Sequence, residues 1–135
     1  MRTRSLRASY VKGMVFSGKG EGAKFVKLSW VKEQLEEKLG FTPYPGTLNI
    51  RLSETDCVKY REILKNAKPL KILPAEGFNL GSCFKACLTP DLECAVVVPE
   101  VANYPKNIME IIASVNLRKT LHLRDGDTIE VRMIL

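Results

Sequence analysis

Gly46-Thr47-Leu48-Asn49-Ile50-Arg51-Leu52 follows the turn signal Pro43-Tyr44-Pro45 and reads as a strand. A strand sends alternate side chains to opposite faces, so Leu48 and Ile50 share one face while Thr47 and Asn49 share the other. The apolar face asks for a core, which makes this a half-buried strand of a sheet. The opposite face brings a hydroxyl and an amide oxygen to one spot, as a protein does when it offers ligands to a hard cation such as Mg²⁺. Taken alone, the pair reads more simply as two polar groups on a solvated face.

Outward from this stretch the chain is mostly strands. Val11 to Ser17, Leu70 to Leu73, Ser82 to Leu88 and Cys94 to Val98 carry strand patterns, as does the apolar run Ile108 to Ala113. Thr128 to Leu135 alternates Ile129, Val131 and Met133 with Glu130 and Arg132. Ala23 to Leu28 reads as a strand returning from a hairpin. Two helices are expected. One is capped by Ser29 and runs to Leu39 with Val31, Leu35 and Leu39 as its stripe, Trp30 packed at its start and Gly40 as its stop. The other follows Ser53-Glu54-Thr55-Asp56, which resembles a capping box, and turns Cys57, Tyr60 and Leu64 to the core before ending near Asn66. A short helical turn is expected around Leu117–Leu121. About seven strands against two short helices point to a mainly β protein, a small closed six- or seven-stranded β-barrel over residues 11–135, preceded by a basic flexible tail at 1–10.

Composition sets bounds on function. The 135 residues suit one domain, and 45% hydrophobic with 27% charged residues is ordinary for a globular protein. No apolar run approaches the roughly 18 residues of a membrane span, and no apolar segment follows the basic Met1–Arg7 as a secretory signal requires. A cytoplasmic protein without a membrane partner is expected. The net charge of +6 favours anionic partners, although Arg2, Arg4 and Arg7 supply part of the excess. Cys57, Cys83, Cys87 and Cys94 fit neither a zinc spacing nor a dense disulfide framework, so buried thiols are the default.

Two further features could carry chemistry. In Gly18-Lys19-Gly20-Glu21-Gly22, alternate glycines free the backbone to curl round an anion, yet the stretch is neither a P-loop nor a dinucleotide fingerprint, and a plain hairpin fits it as well. Glu110 interrupts an apolar run, so it should either point out of the barrel or serve a site, where it could accept a hydroxyl proton. His122 reads as a surface residue, and Asp125 and Asp127 as turn residues.

Several segments together resemble the archaeal CTP-dependent riboflavin kinases. They are Gly18-Lys19-Gly20-Glu21-Gly22, Gly40-Phe41-Thr42-Pro43-Tyr44-Pro45-Gly46-Thr47-Leu48-Asn49, Val96-Val97-Val98-Pro99, Glu110-Ile111-Ile112-Ala113 with Leu117-Arg118, and Leu123-Arg124-Asp125-Gly126-Asp127. They occur in the family's order and span nearly the whole chain from Lys12 onward. The resemblance implies a cradle-loop, riboflavin-kinase-like barrel without the N-terminal winged-helix domain of some members. It also implies Mg²⁺-dependent transfer of the γ-phosphoryl group of CTP to riboflavin, giving FMN and CDP. By the same resemblance, Lys19, Gly20, Glu21, Gly22, Ala23 and Lys24 would wrap the nucleotide, with Val115, Asn116, Leu117 and Arg118 at its cytidine end. Thr47 and Asn49 would hold the metal, and Glu110 would contact flavin and serve as the candidate catalytic group. Ala102 stands where similar enzymes can place a flavin-contacting threonine, so Asn103 or the backbone would take over. Ser114 stands where a proline is common.

Two rivals from other classes remain at this point, a DNA-binding barrel regulator and a flavin-binding module without catalysis. Lysines and arginines interleaved with acids argue against a nucleic-acid partner, and intact Thr47 and Asn49 argue against lost catalysis. A monomer is expected.

Overall fold

The structure is a computed structural model and describes residues 9–18, 24, 26–73, 81–88, 91–100 and 103–134. Seven strands occur among them: β1 (Ser9–Phe16), β2 (Leu48–Leu52), β3 (Leu70–Ile72), β4 (Gly81–Leu88), β5 (Leu92–Pro99), β6 (Ile108–Ala113) and β7 (Thr128–Met133). All pairings are antiparallel, in the order β3-β4-β5-β6-β2-β1-β7, and β4 also pairs with β7. The sheet therefore closes into a six-stranded barrel, β4-β5-β6-β2-β1-β7, with β3 as an added edge on β4. Closure leaves no open edge within the ring. The expected barrel holds, with six strands in the ring and a seventh outside it.

The interior follows from period-2 alternation. Val11 and Val15 of β1, Leu48, Ile50 and Leu52 of β2, Val96 of β5, Met109 and Ile111 of β6, and Val131 and Met133 of β7 fill one buried cluster. Gly13 belongs to the same inward row: a Cβ there would lie 2.3 Å from Ile50 Cγ2 and 2.8 Å from the Arg51 carbonyl oxygen, so only a bare backbone fits. Helix α2 (Glu54–Asn66) contributes Tyr60 and Ile63 to this cluster. Its N-cap is Ser53, whose hydroxyl accepts from the Asp56 amide at 3.3 Å, as the sequence suggested. Cys57 and Leu64 pack at the margin, and burial raises the Tyr60 phenol above its ordinary range.

A second apolar cluster lies outside the barrel wall. Helix α1 (Ser29–Leu39) lays Val31, Leu35 and Leu39 on Cys83, Ala95, Val97 and Ile112, with Trp30 and Phe41 packed alongside. This explains why β6 is buried on both faces, Met109 and Ile111 facing inward and Ile112 lying under the helix. Gly40 ends α1 in the left-handed conformation at φ 81°, with its amide donating to the Glu36 carbonyl, so the expected stop holds.

Two local expectations need correction. Lys24, Val26 and Lys27 are helical, so the segment before α1 is no returning strand. The six residues from Ala23 to Leu28 are too few for periodicity to separate strand from helix, and Val26 is recruited into the outer cluster. Ser29 does not cap α1 either: Leu28 is the N-cap residue and makes no side-chain cap bond. The helix start rests instead on Leu28, whose carbonyl accepts from the Val31 and Lys32 amides. With α3 (Leu117–Thr120), the helical turn expected around Leu117–Leu121, the described residues hold three short helices besides that segment.

All four cysteines are free. Cys83 and Cys94 are buried, and burial pushes their thiols up to about 11 and about 12. Cys57 and Cys87 are only partly covered, so the expected burial holds for two of the four. Among the described residues no three histidine, cysteine or acidic side chains gather as a metal cluster, and no helix is long and apolar enough to cross a membrane.

Candidate active site

The outer face of β2 and β6 holds the candidate site. Alternation leaves Asn49 and Arg51 outward while Leu48, Ile50 and Leu52 point into the barrel. Asn49 sits opposite Glu110 of β6, which in turn sits opposite Val97 of β5. Side chains at such paired positions stand about 5 Å apart, near enough to act on one ligand. The Pro43-Tyr44-Pro45 turn is tied to the end of β6 by the Tyr44 amide, which donates to the Ala113 carbonyl at 2.7 Å. That bond delivers Gly46 and Thr47 to the mouth of the same face.

Glu110 is the centre of the arrangement. It points out of the barrel yet is only 7% exposed, because it borders the patch covered by α1. A buried carboxylate must be hydrogen-bonded, and both of its oxygens are. The Thr47 hydroxyl donates to Oε1 at 3.0 Å, and the Tyr104 hydroxyl donates to Oε2 at 2.5 Å. Each carboxylate oxygen can accept twice, so capacity remains for another hydroxyl. Thr47 has one hydroxyl proton, and giving it to Glu110 turns the oxygen lone pairs elsewhere. A cation-binding threonine has to present those lone pairs. Thr47 and Asn49 thus fit a hard cation as two neutral oxygen donors.

Gly18 comes directly over Asn49. A Cβ on Gly18 would lie 2.7 Å from Cγ and Nδ2 of Asn49 and 2.8 Å from its Oδ1. The backbone entering the glycine-rich segment therefore lies so close to the Asn49 amide that a side chain at position 18 would displace it. Lys19, Gly20, Glu21, Gly22 and Ala23 themselves lie outside the described residues, as does Ala102. Lys24 is exposed on the helical segment that follows.

Beside Thr47 opens a cleft of about 140 Å³, bounded by Tyr44, Gly46, Ile111 and the stretch Val115, Asn116, Leu117 and Arg118. The residues expected at the cytidine end thus adjoin those expected at the metal. Their roles in the fold differ. Leu117 is buried in the interior cluster and Val115 packs at its margin, whereas Asn116 and Arg118 are polar parts of the rim. Asn116 caps α3 by accepting from the Lys119 amide at 3.1 Å and donates from Nδ2 to the Tyr44 hydroxyl at 3.1 Å. Arg118 donates from Nη2 to the Phe16 carbonyl at 3.1 Å and to Asp125 Oδ1 at 2.7 Å.

Asp125 is the residue that sequence reasoning valued least correctly. The Asp125-Gly126-Asp127 turn forms as expected, with Gly126 at φ 96° and Asp127 accepting from the Arg124 amide at 2.8 Å. Asp125 itself reaches away from the turn. It accepts from Arg118 and, at 2.8 Å, from the Ser17 hydroxyl, which joins the cleft rim to the start of the glycine-rich segment. The Arg118 hydrogen bond, seconded by that of Ser17, holds its carboxyl below the usual range. Tyr44 and Tyr104 also carry more than their neighbours in sequence suggested. A tyrosine between two prolines was a usable signal, whereas nothing local marks Tyr104. Asn103 is exposed and left-handed at φ 67°, a conformation asparagine tolerates better than most residues, and it turns the chain just before Tyr104. His122 is exposed, as expected.

Fold and site together define a small closed β-barrel protein whose wall carries hydroxyl, amide and carboxylate groups next to a polar-rimmed cleft. The chain belongs to the family CTP-dep_RFKase, described as Domain of unknown function DUF120, whose model matches residues 15–133. Its relatives include riboflavin kinases from Archaeoglobus fulgidus, 42% identical over 132 residues (93% of this chain, 54% of that protein), and Pyrobaculum aerophilum, 44% identical over 130 residues (91% and 60%). The riboflavin kinase of Methanococcoides burtonii is 42% identical over 125 residues (88% and 54%). The chain spans between half and two-thirds of the length of these relatives.

Proposed function

We propose that this chain is a riboflavin kinase that transfers the γ-phosphoryl group of CTP to the 5′-hydroxyl of riboflavin, giving FMN and CDP. The observation that carries the reading is the bond from Thr47 to Glu110. It joins the oxygen pair suited to a cation and the one carboxylate buried among the described residues, beside the cleft rimmed by Asn116 and Arg118. The names of the relatives supply the acceptor, and the family name the donor.

Phosphoryl transfer asks a protein chiefly to hold two substrates in line and to offset charge on the phosphates. Thr47 and Asn49 would hold Mg²⁺, which when bound neutralises phosphate charge. Being uncharged, they make a weak site alone, so the ion would arrive with the nucleotide. Asn116 and Arg118 would bind the far end of the nucleotide, with the glycine-rich segment after Gly18 on its phosphates. Glu110 would accept the hydrogen bond of the attacking hydroxyl on its spare capacity, orienting the oxygen and taking its proton as the bond to phosphorus forms.

Purified protein incubated with riboflavin, Mg²⁺ and either CTP or ATP, with FMN separated by chromatography, tests the reading. FMN from CTP and hardly any from ATP is the expected result. FMN from ATP instead would keep the kinase and discard the donor, and none from either would discard the kinase. Glu110→Gln should lower kcat about a hundredfold while leaving the nucleotide KM within a few-fold, as steady-state rates would report.

A further inference from the structure

We propose that Tyr104 is a positioning residue of the transfer step, acting through Glu110 on Thr47; the inference rests on the kinase reading above. Three observations carry it. The Tyr104 hydroxyl sits 2.5 Å from Glu110 Oε2, the length of a strong hydrogen bond between a hydroxyl and a carboxylate. Glu110 is nearly sealed from water, so its orientation is set by its two hydroxyl partners and not by solvent. Those partners come from distant stretches, Thr47 from the entry to β2 and Tyr104 from the link between β5 and β6.

The consequence is directional. With Oε2 fixed by Tyr104, Oε1 is left facing Thr47, and the single Thr47 proton is committed to it. The Thr47 lone pairs then turn toward the cleft. Without the Tyr104 hydroxyl, the carboxylate can rotate about its last bond, and Thr47 can donate elsewhere. Tyr104 also bounds a second, mostly apolar cleft of about 210 Å³ with Tyr60, Val98, Pro105 and Ile108. It thereby couples the wall of that cleft to the carboxylate. Nothing in the local sequence marks it, because its partner lies on the following strand and is reached only through the left-handed turn at Asn103.

The test compares wild type, Tyr104→Phe, Tyr104→His, Glu110→Gln and the Tyr104→Phe/Glu110→Gln double variant in the FMN-forming assay, with thermal unfolding of each. Tyr104→Phe keeps the ring and should fold with a similar Tm. Its kcat should fall about tenfold or more, the scale of losing a hydrogen bond to a charged group. The nucleotide KM should stay within about twofold, and the Mg²⁺ concentration for half-maximal rate should rise. Tyr104→His restores a ring donor and should recover part of the rate. In the Glu110→Gln background the Phe change should add less than about a twofold loss, since the route through Glu110 is already cut. Wild-type kcat in Tyr104→Phe, or a tenfold loss that persists on top of Glu110→Gln, would overturn the proposal and leave the kinase reading standing. A wild-type protein that forms no FMN from any nucleoside triphosphate would overturn both.

Discussion

At the scale of single residues, the site depends on what a few side chains are prevented from doing. Thr47 is kept from donating elsewhere because its one proton goes to Glu110, and Asn49 is left in place by a glycine that has no side chain to displace it. The second constraint can be tested without touching a polar group. Gly18→Ala puts a methyl 2.7 Å from the Asn49 amide, closer than carbon packs against any atom, and the Asn49 side chain is the part free to move. If Asn49 is a metal ligand, that movement should raise the half-saturating Mg²⁺ concentration about tenfold, the scale of disturbances beside metal ligands. Gly18 is exposed, so the Tm should hardly change. A magnesium titration of the FMN-forming rate, set beside a melting curve, separates the two effects. An unchanged titration would detach Asn49 from the metal.

At the scale of elements, the cleft is assembled by contacts between chain segments far apart in sequence. Asp125, on the turn before β7, ties Arg118 of α3 to Ser17 at the end of β1. Asp125→Asn keeps the shape and removes the charge, so Arg118 should wander from the rim. We expect the nucleotide KM to rise about three- to tenfold with kcat nearly unchanged, as titration of the donor in steady-state assays would report. The pH dependence has a defined sign. The Asp125 carboxyl is held low in the folded chain, so its contribution is complete above the ordinary carboxylate range and fades as pH falls through the depressed value. Urea unfolding of the wild type and Asp125→Asn should therefore differ most at neutral pH and converge in acid; a gap that widened in acid would contradict the assignment. The same residue shows where sequence stops informing. Turn chemistry accounts for an Asp before Gly, so the sequence offers no reason to seek a second role, and its partners lie 7 and 108 positions away. Asn49 and Glu110 were legible because alternation fixes their faces along β2 and β6, Thr47 because it enters β2 directly ahead of Leu48, and the family pattern joins the strands. Tyr104 was not, because its role is set by a backbone turn and a cross-element contact. The stretch from Ala23 to Leu28 was misread for a different reason, since six residues are too few to show a period.

At the scale of the whole molecule, the strands were legible one by one, but their order round the ring was not, because cross-strand partners leave no local mark. The ring also has an uneven wall. β4 pairs along all eight of its residues with β5, from Gly81↔Pro99 to Leu88↔Leu92, but meets β7 only at Ala86↔Met133 and Cys87↔Arg132. The reason is topological: the first residues of β4 are taken by β3, and β7 ends where β4 is still free. One further bond, from the Ile134 amide to the Lys85 carbonyl at 3.0 Å, finishes the seam. In the order β4-β5-β6-β2-β1-β7 the β6–β2 pair that holds the site lies half a turn round the ring from this seam. Local opening should therefore begin at the seam and leave the site intact. Amide hydrogen exchange should find the seam amides of 86–87 and 133–134 less protected than those of β2 and β6. Met133→Ala sharpens the test, because Met133 is 2% exposed in the barrel interior at the seam itself. Its loss should destabilise the fold by about 2–5 kcal/mol, yet kcat measured well below the lowered Tm should match wild type. Uniform protection round the ring, or a kcat that falls with stability, would mean that the barrel opens as one unit and that site and seam are not separable.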